Sequence, residues 1–378
     1  MIALARKTLI HEWKRFAPVV LSVGFTGLML ATQAALVLGI FGTAALYVRE
    51  SSGDIWAGYP GTQSVNFGRS VSADAEVWLR MDPDVVAVEP YQWVDGDWTS
   101  ESPGLGSVSV YLSGISTDRG AMLFSRLLPA EIRERLREPG AVVVDSADLD
   151  SLGVSVGGRA WIDRYAVRVV ATLPGLRGLG GVNVLASLET ATAIAPQQAD
   201  QGRTYYVARL ADPGRIQAAY ARLAKISPSF GPLQVWTAQE FAQRSQRYWL
   251  LDTGAGTAVM FMALIVCIVG VVITSQSFSA VVAGSAREYA TLNALGASRY
   301  ALARVVIEQA CLIGGVGLLI AAIASALLLA AAAAYHVPVA MTPTAALACI
   351  AMIGLMALLS SMMAIRGLFR TDPSLLLR

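Results

Sequence analysis

The chain has 378 residues, of which 55% are hydrophobic and only 15% charged, with a formal net charge of +2 and a mean hydropathy of +0.54. That balance is too apolar for one soluble domain and too polar for a protein buried wholly in a membrane. Its scattered arginines form no basic stripe of the kind that binds nucleic acid, and Cys267, Cys311 and Cys349 fall in three separate apolar runs, which leaves the polar part without a disulfide.

Residues 1–16 set Leu4, Leu9, Trp13 and Phe16 among Arg6, Lys7, Lys14 and Arg15. This predicts a cytoplasmic interfacial amphipathic helix with Trp13 as its anchor. The apolar run 17–47 predicts the first transmembrane helix, since about 20 residues cross a bilayer core; it is too long for a signal-peptide core. Small residues recur along it at Gly27, Ala31, Ala35, Gly39 and Thr43, a face on which two helices pack closely. Gln33 sits mid-span, costly against lipid unless paired, so a hydrogen bond to another helix is expected, with contact to a substrate as the alternative.

Residues 48–250 read as an α/β domain inserted between helices 1 and 2. Helices are predicted over 73–81, 129–137, 213–226 and 240–249. Strands are predicted over 85–94, 107–115, 141–144, 160–162, 166–173, 205–210 and 231–236. Residues 48–112 and 203–250 are expected to form two porter-like halves around an inserted subdomain, 113–202. The glycine-rich stretch 174–181 lacks the Lys-Ser/Thr of a phosphate loop and reads as a flexible tip or an edge loop. Asp145, Asp148 and Asp150 read as a solvated loop.

Apolar runs 251–282, 305–335 and 344–365 predict three further spans, with an outer loop at 336–343 and a tail at 366–378. Arginine and lysine gather in 1–16, 283–304 and 366–378. That puts all three, and both termini, on the cytoplasmic side. In the loop 283–304, Ala290, Leu292, Ala294 and Leu295 give a short polar segment an apolar side, and Gly296 ends it. A structured inner segment of this kind fits a docking helix. Arg304 and Glu308 are spaced as an interfacial i,i+4 ion pair. The spans carry no charged relay, which argues against proton- or sodium-driven transport.

No lysine follows a glycine, so the ATP-hydrolysing P-loop is absent. Residues 48–250 contain no histidine, which excludes a Ser-His-Asp arrangement there. Neither a catalytic residue nor a metal-ligand spacing is found.

With this layout, R-E-Y-A-T-L-N-A-L-G-A-S-R at 287–299 resembles the inner loop of MacB/FtsX-like (type VII) ABC transporter permeases. Glu288, Ala290, Leu292, Ala294, Leu295, Gly296, Ala297, Ser298 and Glu308 fit that loop, and Tyr289 replaces its usual aliphatic residue. Asp372, Pro373, Leu377 and Arg378 echo the family's C-terminal pattern, and 28–39 looks like span one of the DevC-like branch. The resemblance implies a non-catalytic permease of the bacterial inner membrane that works as a homodimer. It implies two copies of a separate ATPase, which would bind ATP and Mg, leaving no cofactor in this chain. Arg287, Glu288, Ala290, Leu292, Leu295, Gly296, Ala297, Ser298 and Arg299 would couple to that ATPase. The implied activity is efflux by mechanotransmission, with a periplasmic adaptor, an outer-membrane channel as a further component and membrane lipid around the spans. FtsX-like signalling to a cell-wall hydrolase, lipoprotein release as in the LolC/LolE branch, and a motorless membrane-anchored binding protein are the alternatives.

Overall fold

The computed structural model describes residues 13–101, 106–225, 230–285, 299–335 and 337–370. In chain order its main elements are helix α1 (Trp13–Gly42), strand β1 (Ile55–Gly58), α2 (Asp74–Arg80), β2 (Val85–Ser100), β3 (Val108–Ile115) and α3 (Ala130–Arg135). Then follow β4 (Ala141–Asp145), β5 (Arg159–Ile162), β6 (Tyr165–Leu173), β7 (Val182–Ser187), α4 (Leu188–Ile194), β8 (Tyr205–Leu210), α5 (Ile216–Leu223), β9 (Gln234–Thr237) and α6 (Ala238–Arg247). Helices α7 (Gly254–Gly284), α8 (Arg299–Ala334) and α9 (Pro343–Arg370) end the described chain. Contacts divide it into two units, Met1–Gly39 with Ala255–Arg378, and Ile40–Gly254.

The first unit is helical. Among the described residues, four helices are long and apolar enough to cross a membrane. Phe261, Leu264, Leu319, Leu327, Leu347 and Leu355 are exposed on them. Side chains of this kind suit a hydrocarbon solvent, in which a helix satisfies its own backbone groups.

The second unit is built on one long strand. Residues 85–91 of β2 pair antiparallel with β8, and β8 with β1, and β1 with β9, complete a four-stranded antiparallel sheet. Residues 92–98 pair with β3 and 98–100 with β5. Through β3–β7–β4–β6–β5 the strands return to β2 and close a six-stranded barrel. All six strands contribute to its interior, where Val94, Leu112, Val144, Ile162, Val167 and Val184 are buried. Trp98 fills the same interior and donates its ring N–H to the Leu152 carbonyl at 3.0 Å. The run Ala-Val-Val-Val-Asp makes β4 buried at every position, as a strand covered on both faces requires.

The sheet beside the barrel has two covered faces. On one, α2 and α5 pack through Ala75, Leu79, Ala219 and Leu223 against Ile55, Ala57 and Val235. On the other, Trp56, Tyr91, Tyr205, Trp236 and Phe241 form a buried aromatic cluster. Trp236 and Phe241 stack at 4.7 Å, and Tyr91 and Tyr205 at 5.9 Å. Helix α6, which carries Phe241, starts at an N-cap: the Thr237 hydroxyl accepts from the Glu240 backbone N–H at 3.1 Å.

Several elements differ from the sequence expectation. Strands β1 and β7 and helix α4 were not predicted, and β2 extends to Ser100. The division between sheet and barrel falls between Tyr91 and Gln92, inside β2, instead of at 112/113. The first long helix ends at Gly42, followed by a tighter turn, Thr43–Ala45, and a short helix, Leu46–Arg49.

Candidate functional site

Helix α1 packs within the membrane unit through its small residues. A methyl group added at Gly27 would lie 2.7 Å from the Ala321 Cβ and 3.0 Å from Ile353 Cδ1, so α8 and α9 both approach it there. Ala31 and Gly27 line an apolar groove of about 340 Å³ with Ala321, Ser325, Cys349 and Ile353. Higher up, Ala35 is buried and its carbonyl accepts from the Ala340 N–H at 3.0 Å. A side chain at Gly39 would fall on the Pro338 carbonyl. Thr43 instead turns its hydroxyl to the Ile40 carbonyl at 2.6 Å, within its own turn. Gln33 donates to the Val259 carbonyl of α7 at 3.2 Å, which gives its amide a partner away from lipid.

Other close approaches were not singled out from the sequence. A methyl group added at Gly317 of α8 would lie 2.7 Å from Val23, one at Gly24 would lie 3.2 Å from Ile320, and one at Gly270 of α7 would fall on Thr26. The signal was present in the cluster Gly314, Gly315 and Gly317, but a glycine on one helix does not reveal which residue it meets.

Arg287, Glu288, Ala290, Leu292, Leu295, Gly296, Ala297 and Ser298 lie outside the described residues, as do 1–12 of the expected interfacial helix. Arg299 opens α8. One turn on, Arg304 Nε donates to Glu308 Oε1 at 3.2 Å. The second Glu308 oxygen is buried, with no hydrogen-bond partner among the described residues.

In the other unit, charge is used to fasten turns. Asp82 and Asp84, in the turn between α2 and β2, are both buried, and α5 holds them. Arg222 reaches Asp82 at 2.7 Å and Asp84 at 2.5 Å, and Arg215 reaches Asp84 at 2.6 Å. The hydrogen bond from Arg222 holds the Asp82 carboxyl below the usual range. Asp145 and Asp148 are buried as well, which corrects the reading of a solvated loop. Asp145 accepts from the Leu176 N–H at 2.6 Å and from the Arg177 N–H at 3.2 Å, while Arg177 Nε reaches Asp148 at 2.8 Å. The glycine-rich segment is therefore clamped and is not a free tip. Asn66 adds a further tie, donating to the Leu179 carbonyl at 2.9 Å.

Glu89 is a further buried acid that sequence reasoning missed, as it missed Asp82 and Asp84. One of its oxygens accepts from the Met122 and Leu123 N–H groups, and the carboxylate is buried. Arg133, also buried, donates to the carbonyls of Ser116 at 2.8 Å and Leu123 at 2.5 Å. The two thus fasten the same loop from opposite termini of its peptide groups. Burial raises the Glu89 pKa above the usual carboxylate value and lowers that of Arg133.

Glu89 and Asp82 tilt stability in opposite directions with pH. The folded chain holds the Glu89 proton more tightly than the unfolded chain, so this stabilisation is present at low pH and is lost as pH rises through the folded pKa. The Asp82 contribution is present above the unfolded pKa and is lost as pH falls through the folded one. Glu89→Gln is neutral at every pH. Thermal unfolding across a pH series is expected to show the variant more stable than the parent at neutral pH, with the two converging as pH falls. An unchanged difference across the series would contradict the assignment.

Among the described residues no group of three or more His, Cys, Asp or Glu side chains is placed to hold a metal ion. Four apolar helices, with a sheet-rich α/β domain inserted after the first, define a multi-pass membrane protein.

Residues 260–373 match the FtsX-like permease C-terminal family. This part of the chain is therefore an FtsX-like permease domain. Such permeases are generally non-catalytic. No curated protein sequence matches. Among solved structures, the periplasmic region of MacB from Actinobacillus actinomycetemcomitans is similar at 14% identity and a TM-score of 0.35, covering 52% of this chain and 94% of that one. The extracellular domain of the noncanonic ABC-type transporter YknZ from Gram-positive bacteria is similar at 11% identity and a TM-score of 0.34, over 49% of this chain and all (100%) of that one. A permease-protein domain from Porphyromonas gingivalis stands at 13% and 0.34, over 50% and 91%. At these scores the likenesses carry no functional argument.

Proposed function

We propose that this chain is the permease of an ABC exporter that couples ATP hydrolysis in a separate ATPase to movement of residues 48–250 outside the membrane. The observation that carries this reading is the family match over 260–373, which includes α8, α9, most of α7 and the polar segment between α7 and α8. In this reading the segment 287–299 docks the ATPase, two permease copies pair, and both termini face the cytoplasm of a bacterial inner membrane. ATP and magnesium belong to the ATPase. The small-residue packing of α1 supports rigid helices that move as levers. A periplasmic adaptor, an outer-membrane channel and the DevC-like placement are parts of the same proposal.

Gentle purification of the tagged chain from its native membranes, followed by mass spectrometry, tests it. An ATPase with an adaptor is the expected result. An ATPase with a cell-wall hydrolase would favour signalling, lipid-anchored proteins would favour lipoprotein release, and no ATPase would overturn all three. Replacing Glu288 and Gly296 together is expected to leave ATP hydrolysis in place and abolish the work coupled to it. Normal coupled transport in that variant would remove 287–299 from the docking role.

A further inference from the structure

Phe67 is 48% exposed, yet its position is tightly defined. It ends a short turn, Val65–Phe67, in the loop between β1 and α2. Its ring stacks on Trp249 with centroids 5.8 Å apart and meets Tyr248 edge-on at 5.5 Å. Ser64, just before the turn, and Asn66, within it, are both anchored. Trp249 donates its ring N–H to the Ser64 hydroxyl at 3.2 Å, and Asn66 is buried with its amide on Leu179. The backbone is thus held inward while the Phe67 ring stays outside.

Two distant stretches of chain are needed to build this cluster. Tyr248 and Trp249 are half-buried and open a wider π-helical turn, Tyr248–Asp252. Trp249 stands five residues before Gly254, the first residue of the apolar helix α7. Five residues reach at most about 17 Å when fully extended, and the headgroup zone on each side of a bilayer is about 5–8 Å deep. The cluster is therefore tethered by at most that length of chain to the Gly254 end of α7. Rings with a polar tip gather at headgroup depth, because one end is apolar and the other wet. Exposed Arg69 and Arg247 flank the rings in sequence, and guanidinium groups suit lipid phosphate.

We propose that Phe67, Tyr248 and Trp249 form a lipid-contact platform that meets the headgroup and upper acyl region of the leaflet at the Gly254 end of α7. The proposal rests on reading α7 as a membrane span, and its test separates the two.

The full-length chain, with Cys267, Cys311 and Cys349 replaced by alanine, is labelled with a nitroxide at single introduced cysteines. It is then reconstituted in phosphatidylethanolamine–phosphatidylglycerol vesicles. Labels are placed at Phe67→Cys, at Arg69→Cys, which leaves all three rings intact, at Leu264→Cys on the exposed face of α7, and at Val156→Cys on the exposed surface of the barrel unit. Collision rates with lipid-soluble oxygen and a water-soluble nickel chelate are read. At positions 67 and 69 the oxygen-to-nickel ratio is expected to exceed that at 156 several-fold, with 264 higher still. Nickel access at 67 and 69 equal to that at 156, with 264 lipid-exposed, would overturn the platform alone. Shielding from both reagents with dipolar broadening would assign the rings to a second copy and overturn it as well. Nickel access at 264 would overturn the span reading, and the platform with it.

Discussion

Replacing Trp56 with alanine is expected to produce the largest loss of stability in the chain. Trp56 is fully buried and touches Tyr91, Tyr205 and Phe241 at ring distances of 5.9, 5.8 and 5.7 Å. Removing a buried tryptophan costs about 3–5 kcal/mol, and a domain of this size then melts about 10 °C lower. The ring reaches across the sheet to α6, so the loss should also loosen the helix that leads toward α7. Thermal unfolding of the full chain followed by near-ultraviolet circular dichroism checks this. A shift of only a degree or two would mean that the aromatic cluster does not hold the sheet. Trp56→Phe, which keeps an aromatic ring in the site, is expected to recover much of the difference.

In the membrane unit, Gly27→Leu is expected to have the matching effect. At 2.7 Å from Ala321, even the first carbon of a side chain has no room, and the helix backbones must separate. Overpacking of this kind costs about 1–3 kcal/mol or more. In lipid, close packing is the main force holding helices together, so the consequence is a displaced helix. The expected result is normal insertion, a lower melting temperature in detergent and, under the proposed function, loss of the work coupled to ATP hydrolysis. Paired replacement with Ala321→Gly should restore part of both readouts. If Gly27→Leu behaves as the parent, α1 does not pack on α8 through this face.

The four spans were legible because their signal is local: twenty apolar residues in a row mean the same thing in any context. The α/β character of 48–250 was also legible, since β6 and β8 keep strong strand patterns. What stayed hidden depends on distant partners. Strand β1 is four residues long, and its burial comes from β8 and β9, some 150 to 180 positions later. The extension of β2 past Val94 runs through Asp95, Gly96 and Asp97, residue types depleted in strands, yet β3 pairs with all three. Glu89 resembles any strand glutamate until Met122 and Leu123 bring their N–H groups to it. At the packing stripe, sequence singled out Gly27 and Gly39, whereas Gly317 and Gly270 emerge only when their partners Val23 and Thr26 are in place.

Strand β2 belongs to the barrel and to the sheet at once, and this has a mechanical consequence. A six-stranded ring has no free edge at which to open. A pull along β2 from its first residue would load the β8 hydrogen bonds and then the β3 hydrogen bonds in shear, many at a time, instead of peeling them singly. The sixteen-residue strand is a common spine. A tilt imposed on the sheet would reach the barrel as a displacement of the whole ring, with little of the motion lost in a hinge.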